Sequence, residues 1–492
     1  MSTTTTAPHP GEDRRFLGHP MGLANLFTTE FWERASYYGM RAILVYYLID
    51  QVSGLKMDDG TAKILVSVYG ALVYLLPIPG AWVGDRLLGF RTATLISGIV
   101  ITSGHVVLAT SGGEGTLYAG LLLIALGSGL QKPNISAMVG QLYRKDDPRR
   151  DGGYTLFYWA INCGAFISPL LVGAVAKWWG WHAGFSVAGI GMGIALFAYV
   201  AGWKWLGEIG KQVPDRLTGR QRPLAALGAV VITGVLAALL WWDISTSGKV
   251  NVDHIHLGTT VINIVVSVGY FVYLYRNVAP EYRSKLTAFL GLFLVACLYW
   301  APYNQQESSL AVFGEKSLDL TVLGWEFPAS WLQSVNPLTI IILAPLIAML
   351  WTKLGSRNPS TAVKYVYAIV LIGTSFLIMG FTSWLAEGGQ KVSFLWMILV
   401  LVVLTIGEIA SYPISLSVTS KLADPRYGAQ MQALNLLTIS NAYTITGFIL
   451  EAQEPLGDPV YFSVVGLATV LLGVVFLLFA VKPLRRLMGD VH

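Results

Sequence analysis

The sequence has few charged residues. Asp, Glu, Lys and Arg make up 12% of its 492 residues, whereas soluble domains contain about 25%. Hydrophobic residues make up 54% of the chain, and the mean hydropathy is +0.58. This composition excludes an ordinary soluble protein and indicates that most of the chain lies in lipid.

The chain also lacks the motifs of several enzyme classes. It contains no HExxH metalloprotease motif, no GxSxG hydrolase motif and no GxxxxGK[ST] phosphate loop. The two cysteines, Cys163 and Cys297, lie in apolar stretches without disulfide or metal-ligand spacing. We therefore expect no enzyme activity, no bound metal or cofactor and no nucleic-acid partner. Without a nucleotide-binding loop, any energy that the protein uses should come from an ion gradient.

Apolar stretches long enough to cross a bilayer recur along the chain. A spanning helix needs about 20 such residues. The first 25 residues contain no signal-peptide core, and most of the 33 Lys and Arg residues fall in alternate loops, so we expect both termini in the cytosol. Fourteen stretches are found, beginning near Phe27, Ile64, Thr92, Leu117, Thr155, Ala183, Leu224, His256, Leu286, Ala329, Ala362, Ser393, Ala429 and Tyr461.

The order of the stretches predicts an all-α membrane protein with two six-helix bundles and an inserted helical pair, as in a duplicated transporter. The two inserted segments, 224–242 and 256–275, have no charge in their interiors. We interpret them as a lipid-facing hairpin outside the transport core. The expected domains are a cytosolic tail 1–25, an N-terminal bundle 26–210, a basic loop and hairpin 211–283, a C-terminal bundle 284–482 and a tail 483–492.

The first span carries an unusual polar face. Glu30, Glu33, Arg34, Tyr37 and Arg41 all project to one side of a helix, over about 16 Å of its length. The alternative is a helix end whose charges extend to the interface. The middle of the face lies too deep for that, so a polar cavity is the favoured interpretation.

Two further spans carry a single charged residue in their interior, shortly before a proline. Lys132 precedes Pro133, and Glu408 lies a few residues before Pro413. Prolines free backbone groups, which is typical of helices that line water. Lys132 has the alternative of a structural pair with a carboxylate. Glu408 has the chemistry to pair with Lys132 or with a substrate amine, and protonation would release such a pair.

The span that begins near Leu286 contains the polar run 303–308. Glu307, within this run, is either an acid of a pocket or the outer end of the helix in water. His105, alone on the third span, is interpreted as a packing residue.

Several motifs together resemble one family. EFWERASYYGMR at 30–41 resembles the ExxER motif, with its paired tyrosines and arginine, of the proton-dependent oligopeptide transporter family within the major facilitator superfamily. The resemblance continues in order along most of the chain, with GDRLLGFRT at 84–92, GSGLQKPNIS at 127–136, FYWAINCGAFISP at 157–169, QSVNP at 333–337 and GEIASYPISLS at 407–417.

The resemblance implies a major facilitator fold and a role for each matching residue. Arg41 and Lys132 would receive a peptide carboxylate, and Glu408 the amino terminus. Proton coupling is expected at Glu30, Glu33, Arg34 and Glu408. The other expected substrate-binding residues are Tyr37, Tyr38, Tyr69, Asn162, Asn304, Glu307, Asn336, Ser411 and Asn435.

The sequence departs from this family at two places. Similar proteins have an acid just before Gln where this chain has Asn304, which neither titrates nor pairs with Arg41. Glu307, nearly one helical turn away, is the candidate substitute. The family also often has Trp-Phe where this chain has Leu434 and Asn435, which makes one pocket wall more polar.

These features predict a proton-coupled symporter that imports di- and tripeptides by alternating access. We expect it in a bacterial inner membrane, working as a monomer among lipids. One alternative keeps the fold but carries another organic anion, nitrate or a peptide-like natural product. Another is a sensor that binds peptide without moving it.

Overall fold

The computed structural model describes residues 13–110, 112–144, 147–219 and 250–488, together with positions 221, 223 and 245. Helices dominate these ranges, which confirms the predicted all-α class. The helices are α1 (Met21–Ile49), α2 (Asp59–Leu75), α3 (Pro77–Val83), α4 (Phe90–Ala109), α5 (Glu114–Gln141), α6 (Arg150–Trp179), α7 (Trp181–Ala201), α8 (Trp203–Leu206), α9 (Val252–Asn277), α10 (Pro280–Tyr303), α11 (Ser309–Ser317), α12 (Val335–Leu354), α13 (Thr361–Leu385), α14 (Leu395–Leu422), α15 (Gly428–Leu450), α16 (Gln453–Leu456), α17 (Asp458–Val475) and α18 (Val481–Met488).

Shorter elements connect the helices. The strands have two residues each and form two small sheets, with β1 (Leu318–Asp319) parallel to β4 (Val392–Ser393) and β2 (Thr321–Val322) antiparallel to β3 (Trp325–Glu326). The 3₁₀ segments are Asn304–Glu307, Ala329–Ser334, Gly355–Arg357 and Pro425–Tyr427, and the π segments are Gly84–Leu88 and Phe476–Ala480.

Within the described residues, 11 helical stretches are long and apolar enough to cross a membrane. The predicted first and fourth spans correspond to α1 and α5, which are 29 and 28 residues long and are not among these 11 stretches. The predicted seventh span, 224–242, lies outside the described residues. The total of fourteen spans and the positions of the termini therefore stay predictions.

The chain divides into two compact units. The first is drawn from Met1–Met40, Leu76–Ser168 and His182–Asn251, and the second from Arg41–Leu75, Pro169–Trp181 and Val252–His492. Helix α1 thus contributes its first part to one unit and its last part to the other. The expected bundle limits stay predictions.

Close helix packing holds the first unit together. Helices α4 and α5 approach each other at Gly104 and Gly120, where a Cβ on either glycine would meet atoms of the facing helix at 2.6–2.7 Å. Small residues permit this approach in membrane helices. A core that includes Leu23, Met138 and Tyr199 fills the space beside the start of α1.

In the second unit, α13 packs along α17 at Gly373 and Gly466, and α15 packs against α2, α9 and α10. Helix α9 contains the predicted inserted segment 256–275. Many of its side chains face outward, as expected for a lipid-facing helix, but one face is buried against the rest of the unit.

An Asp-Pro-Arg turn occurs in each unit, just before a long helix. Asp147 accepts hydrogen bonds from the backbone and side chain of Arg149, and Asp424 accepts the same bonds from Arg426. Asp424 also accepts from the backbone N–H of Ala279, just before α10, at 3.2 Å. The second turn therefore fixes the start of a helix that lies far away in sequence.

Candidate functional site

Helix α1 places three charged side chains in the interior of the first unit. Arg34 pairs with Glu30 at 3.2 Å and also with Glu33, and all three side chains are buried. We call Glu30, Glu33 and Arg34 the Glu33 group, which contains two carboxylates and one guanidinium. A proton on one carboxylate would leave a one-to-one pair, which is the less costly arrangement in a medium of low dielectric constant.

Aromatic and hydroxyl groups surround the Glu33 group. The ring of Tyr37 lies close to two cations, 5.3 Å from the guanidinium of Arg34 and 5.2 Å from the ammonium of Lys132. Tyr38 packs against Tyr37 with ring centroids 5.1 Å apart. Ser128 donates to Glu33 at 3.5 Å. The structure thus brings Lys132 of α5 to the polar face of α1.

A second group forms around Arg41 in the second unit. The guanidinium of Arg41 pairs with the carboxylate of Glu307 and donates to the hydroxyl of Tyr443. That hydroxyl donates in turn to Glu307 at 3.1 Å. Tyr443 stacks on Tyr74 at 6.0 Å, and its ring covers Gly70, where a Cβ would lie 2.5 Å from a ring carbon. We call Arg41, Glu307 and Tyr443 the Arg41 group.

The local fold explains why Glu307 reaches Arg41. Pro302, near the end of α10, cannot donate a helical hydrogen bond, and the chain tightens into the 3₁₀ segment Asn304–Glu307 before α11 begins. Asn304 is buried, and among the described residues its amide nitrogen has no hydrogen-bond partner. The acid that pairs with Arg41 is therefore Glu307.

A third group forms around Glu408 on α14. Its carboxylate accepts hydrogen bonds from the hydroxyl of Tyr303 at 2.6 Å and the amide of Asn336 at 2.8 Å. Asn336 is also bonded to Thr405 at 2.9 Å. The ion pairs of the described residues do not include Glu408. When ionised, its negative charge would be held by neutral donors alone, which leaves it suited to an ammonium group.

The remaining predicted residues lie in simpler surroundings. Tyr69 is buried on α2, and Asn162 donates to the backbone of its own helix at 3.0 Å. Ser411 donates to backbone carbonyls of α14, including that of Glu408. Asn435 donates to Ser415 at 3.4 Å and lines a small cavity with Phe289 and Thr438. Their contact with a substrate stays a prediction.

Sequence reasoning missed four residues that lie in or beside these groups, namely Tyr303, Tyr443, Thr405 and Ser128. Tyr443 lies in the apolar helix α15, and its role depends on two residues distant in sequence. Thr405 and Ser128 are single hydroxyls within spans. Two signals were available: Tyr303 lies in the polar run 303–308, and Ser128 lies one helical turn before Lys132.

Comparisons with known proteins agree with the motifs. A model described as the POT family matches residues 91–455, which is most of the chain. The chain belongs to the POT family. The resemblance inferred from the sequence motifs is thereby confirmed, and so is the absence of an enzyme activity, because this is a family of transporters.

Relatives and solved structures match this POT-family chain over nearly its whole length. It is 41% identical to a di-/tripeptide transporter of Lactococcus lactis subsp. cremoris, with 98% of this chain and 99% of the relative covered. It also resembles the crystal structure of a peptide transporter POT in complex with sulfate, at 38% identity and a TM-score of 0.91, covering 96% and 97% of the two chains.

A third similar protein was solved with a peptide conjugate as its ligand. A POT-family transporter in complex with a thioalcohol-conjugated peptide matches at 36% identity and a TM-score of 0.91, covering 97% of this chain and 98% of that one. The predicted major facilitator fold is confirmed by these similarities. The POT-family chain is therefore a multi-pass membrane transporter.

Proposed function

We propose that this protein is a proton-coupled symporter that imports di- and tripeptides by alternating access. The main support is the carboxylate of Glu408. It accepts hydrogen bonds from Tyr303 and Asn336, and among the described residues it forms no ion pair. The ammonium of a peptide would satisfy this charge. The names of the relatives, which include di-/tripeptide transporters, agree with a peptide as cargo.

The cations supply the other half of peptide recognition. Arg41 and Lys132 are the proposed partners of the peptide carboxylate. Arg41 is already paired with Glu307. A peptide carboxylate would therefore bind Arg41 either by displacing Glu307 or after a proton has neutralised Glu307. This competition is a physical route by which proton binding and peptide binding would influence each other.

Proton coupling is proposed for Glu30, Glu33, Arg34 and Glu408. In the Glu33 group two acids share one guanidinium, so one proton would change the balance of the ion pairs. Inward proton flow would then drive uptake. We place the protein in a bacterial inner membrane, because its di-/tripeptide-transporter relative from Lactococcus lactis is bacterial. We also propose that it works as a monomer.

Uptake into proteoliposomes tests this proposal. Labelled di- and tripeptides would be offered with and without an inward proton gradient, with protein-free liposomes and a protonophore as controls. We expect gradient-stimulated uptake that unlabelled peptide competes away. Peptide binding without uptake would indicate a sensor. Neither binding nor uptake by folded protein would favour another organic anion or nitrate as the cargo.

A further inference from the structure

Helix α9, from the inserted pair, has a polar face buried inside a largely apolar helix. Val265 and Val268 point outward, with more than half of each side chain exposed. Polar side chains in a membrane helix usually face a protein partner, because lipid offers them no hydrogen bonds. The buried positions follow a helical spacing and are Val252, His256, Thr259, Asn263, Ser267 and Leu274.

Helix α15 forms hydrogen bonds with this face, and α9 also packs against α2. The imidazole Nε2–H of His256 donates to the backbone carbonyl of Thr444 at 2.8 Å. About three turns further along α9, Ser267 accepts from the amide of Asn441 at 2.9 Å. Gly447 provides the space for the imidazole, since a Cβ at Gly447 would lie 2.3 Å from His256 Nε2. The two helices are thus fitted to each other by polar contacts as well as by packing.

The same stretch of α15 carries Tyr443 of the Arg41 group. Other helices also hold it, since Ser440 donates to the carbonyl of Ala71 on α2 and Thr446 donates to the carbonyl of Ala301 on α10. The bond from His256 is made to Thr444, the residue next to Tyr443. Any shift of α15 that broke this bond would also move the Tyr443 hydroxyl relative to Arg41 and Glu307.

We infer that α9 is a positioning helix for the Arg41 group, with His256 and Ser267 as its positioning residues. It acts through α15 and holds the Tyr443 hydroxyl between Arg41 and Glu307. The consequence for transport rests on the proposed function, whereas the effect on α15 does not. Helix α9 then contributes to the transport cycle even though many of its side chains face lipid.

Two measurements on the full-length protein test the inference. The first is hydrogen exchange of the α15 amides in purified protein. We expect faster exchange around 440–448 in His256→Ala than in wild type. His256→Gln should restore protection, because its amide nitrogen occupies nearly the place of imidazole Nε2. Val265→Ala, on the lipid-facing side of α9, is the matched control and should exchange like wild type.

The second measurement is the rate of peptide uptake by equal amounts of folded protein. We expect His256→Ala to lower the maximal rate about fivefold, the effect of losing one hydrogen bond, with KM nearly unchanged. The effects of His256→Ala and Tyr443→Phe should be less than additive, because both act on one group.

Each outcome decides one question. The inference is overturned if the α15 amides of His256→Ala exchange at the wild-type rate. It is also overturned if Val265→Ala loses as much exchange protection in α15 as His256→Ala does. If His256→Gln loses as much protection as His256→Ala, the imidazole matters for its shape alone, and the inference is overturned as well. If wild-type protein carries no peptide, the proposed function fails, and the exchange measurement still decides whether α9 positions α15.

Discussion

The carboxylate of Glu307 pairs with the guanidinium of Arg41, and the hydroxyl of Tyr443 bonds to both. The acid lies three residues after Asn304, the position where similar sequences have theirs. A 3₁₀ turn connects the two positions and allows the later residue to face Arg41. An acidic partner for Arg41 is thus retained although the expected acid is absent.

We expect Glu307→Gln to reduce gradient-driven peptide uptake by about tenfold or more, because it leaves the guanidinium of a buried Arg41 without its charged partner. The double variant Asn304→Glu with Glu307→Gln moves the acid back by three residues and should recover part of the activity. Uptake into proteoliposomes at matched protein amounts measures both. Wild-type activity in Glu307→Gln would show that the pair has no part in transport.

Tyr443→Phe removes a single hydroxyl from the Arg41 group and keeps the ring stacked on Tyr74. We expect the maximal uptake rate to fall roughly fivefold, with a small loss of thermal stability. Tyr461→Phe is the control, since it also removes a buried tyrosine hydroxyl, one that donates to Gln305 at 2.8 Å. Equal rate losses in the two variants would assign the effect to general destabilisation.

Gly70→Ala tests the close packing of α2 against Tyr443. The new Cβ would lie 2.5 Å from the ring, so the ring or the helix must move, at a typical cost of about 1–3 kcal/mol. We expect lower thermal stability and slower uptake. Gly258→Ala on α9 is the control, because nothing lies within 4 Å of its added Cβ. Equal melting temperatures for the two variants would contradict the packing described for Gly70.

The sequence allowed parts of the site to be predicted because some signals are local. Charges on one face of α1 are costly in lipid wherever they lie, so Glu33 and Arg41 could be identified from their positions in the sequence. Glu408 could be identified for the same reason. The all-α class followed from hydropathy alone, and the family from the order of the motifs.

The remaining contacts depend on which helices meet, and a single sequence does not contain that information. Tyr443 is one aromatic residue among many in apolar helices, and only the fold brings it to Arg41 and Glu307. The polar face of α9 is different, because His256 and Ser267 lie on one side of a predicted helix. That spacing could be read from the sequence, but the absence of charge led instead to the interpretation of a lipid-facing hairpin outside the transport core.

The turn at Asp424 provides a prediction about pH. The hydrogen bond from the Arg426 side chain, with backbone N–H groups, holds the pKa of Asp424 below its ordinary value of 3.8. A lowered pKa means that ionised Asp424 stabilises the folded state above about pH 4 and loses this effect as the pH falls. Asp424→Asn should therefore be less stable than wild type at neutral pH, with the difference beginning to shrink as the pH falls below about 4. Thermal unfolding in detergent measures it, and a difference independent of pH would contradict the assignment.

Glu33→Gln tests the proposed proton coupling most directly. The amide keeps the size of the side chain but removes one of the two acids that share Arg34, so the group no longer has an acid to protonate at that position. We expect gradient-driven uptake to be lost while counterflow exchange of labelled peptide continues, because exchange needs no net proton movement. Ser128→Ala, which removes a donor to Glu33 but no charge, is the matched control and should retain most of the gradient-driven uptake. If Glu33→Gln loses both activities in folded protein, the residue maintains the structure of the group, and proton coupling must be sought at Glu30 or Glu408.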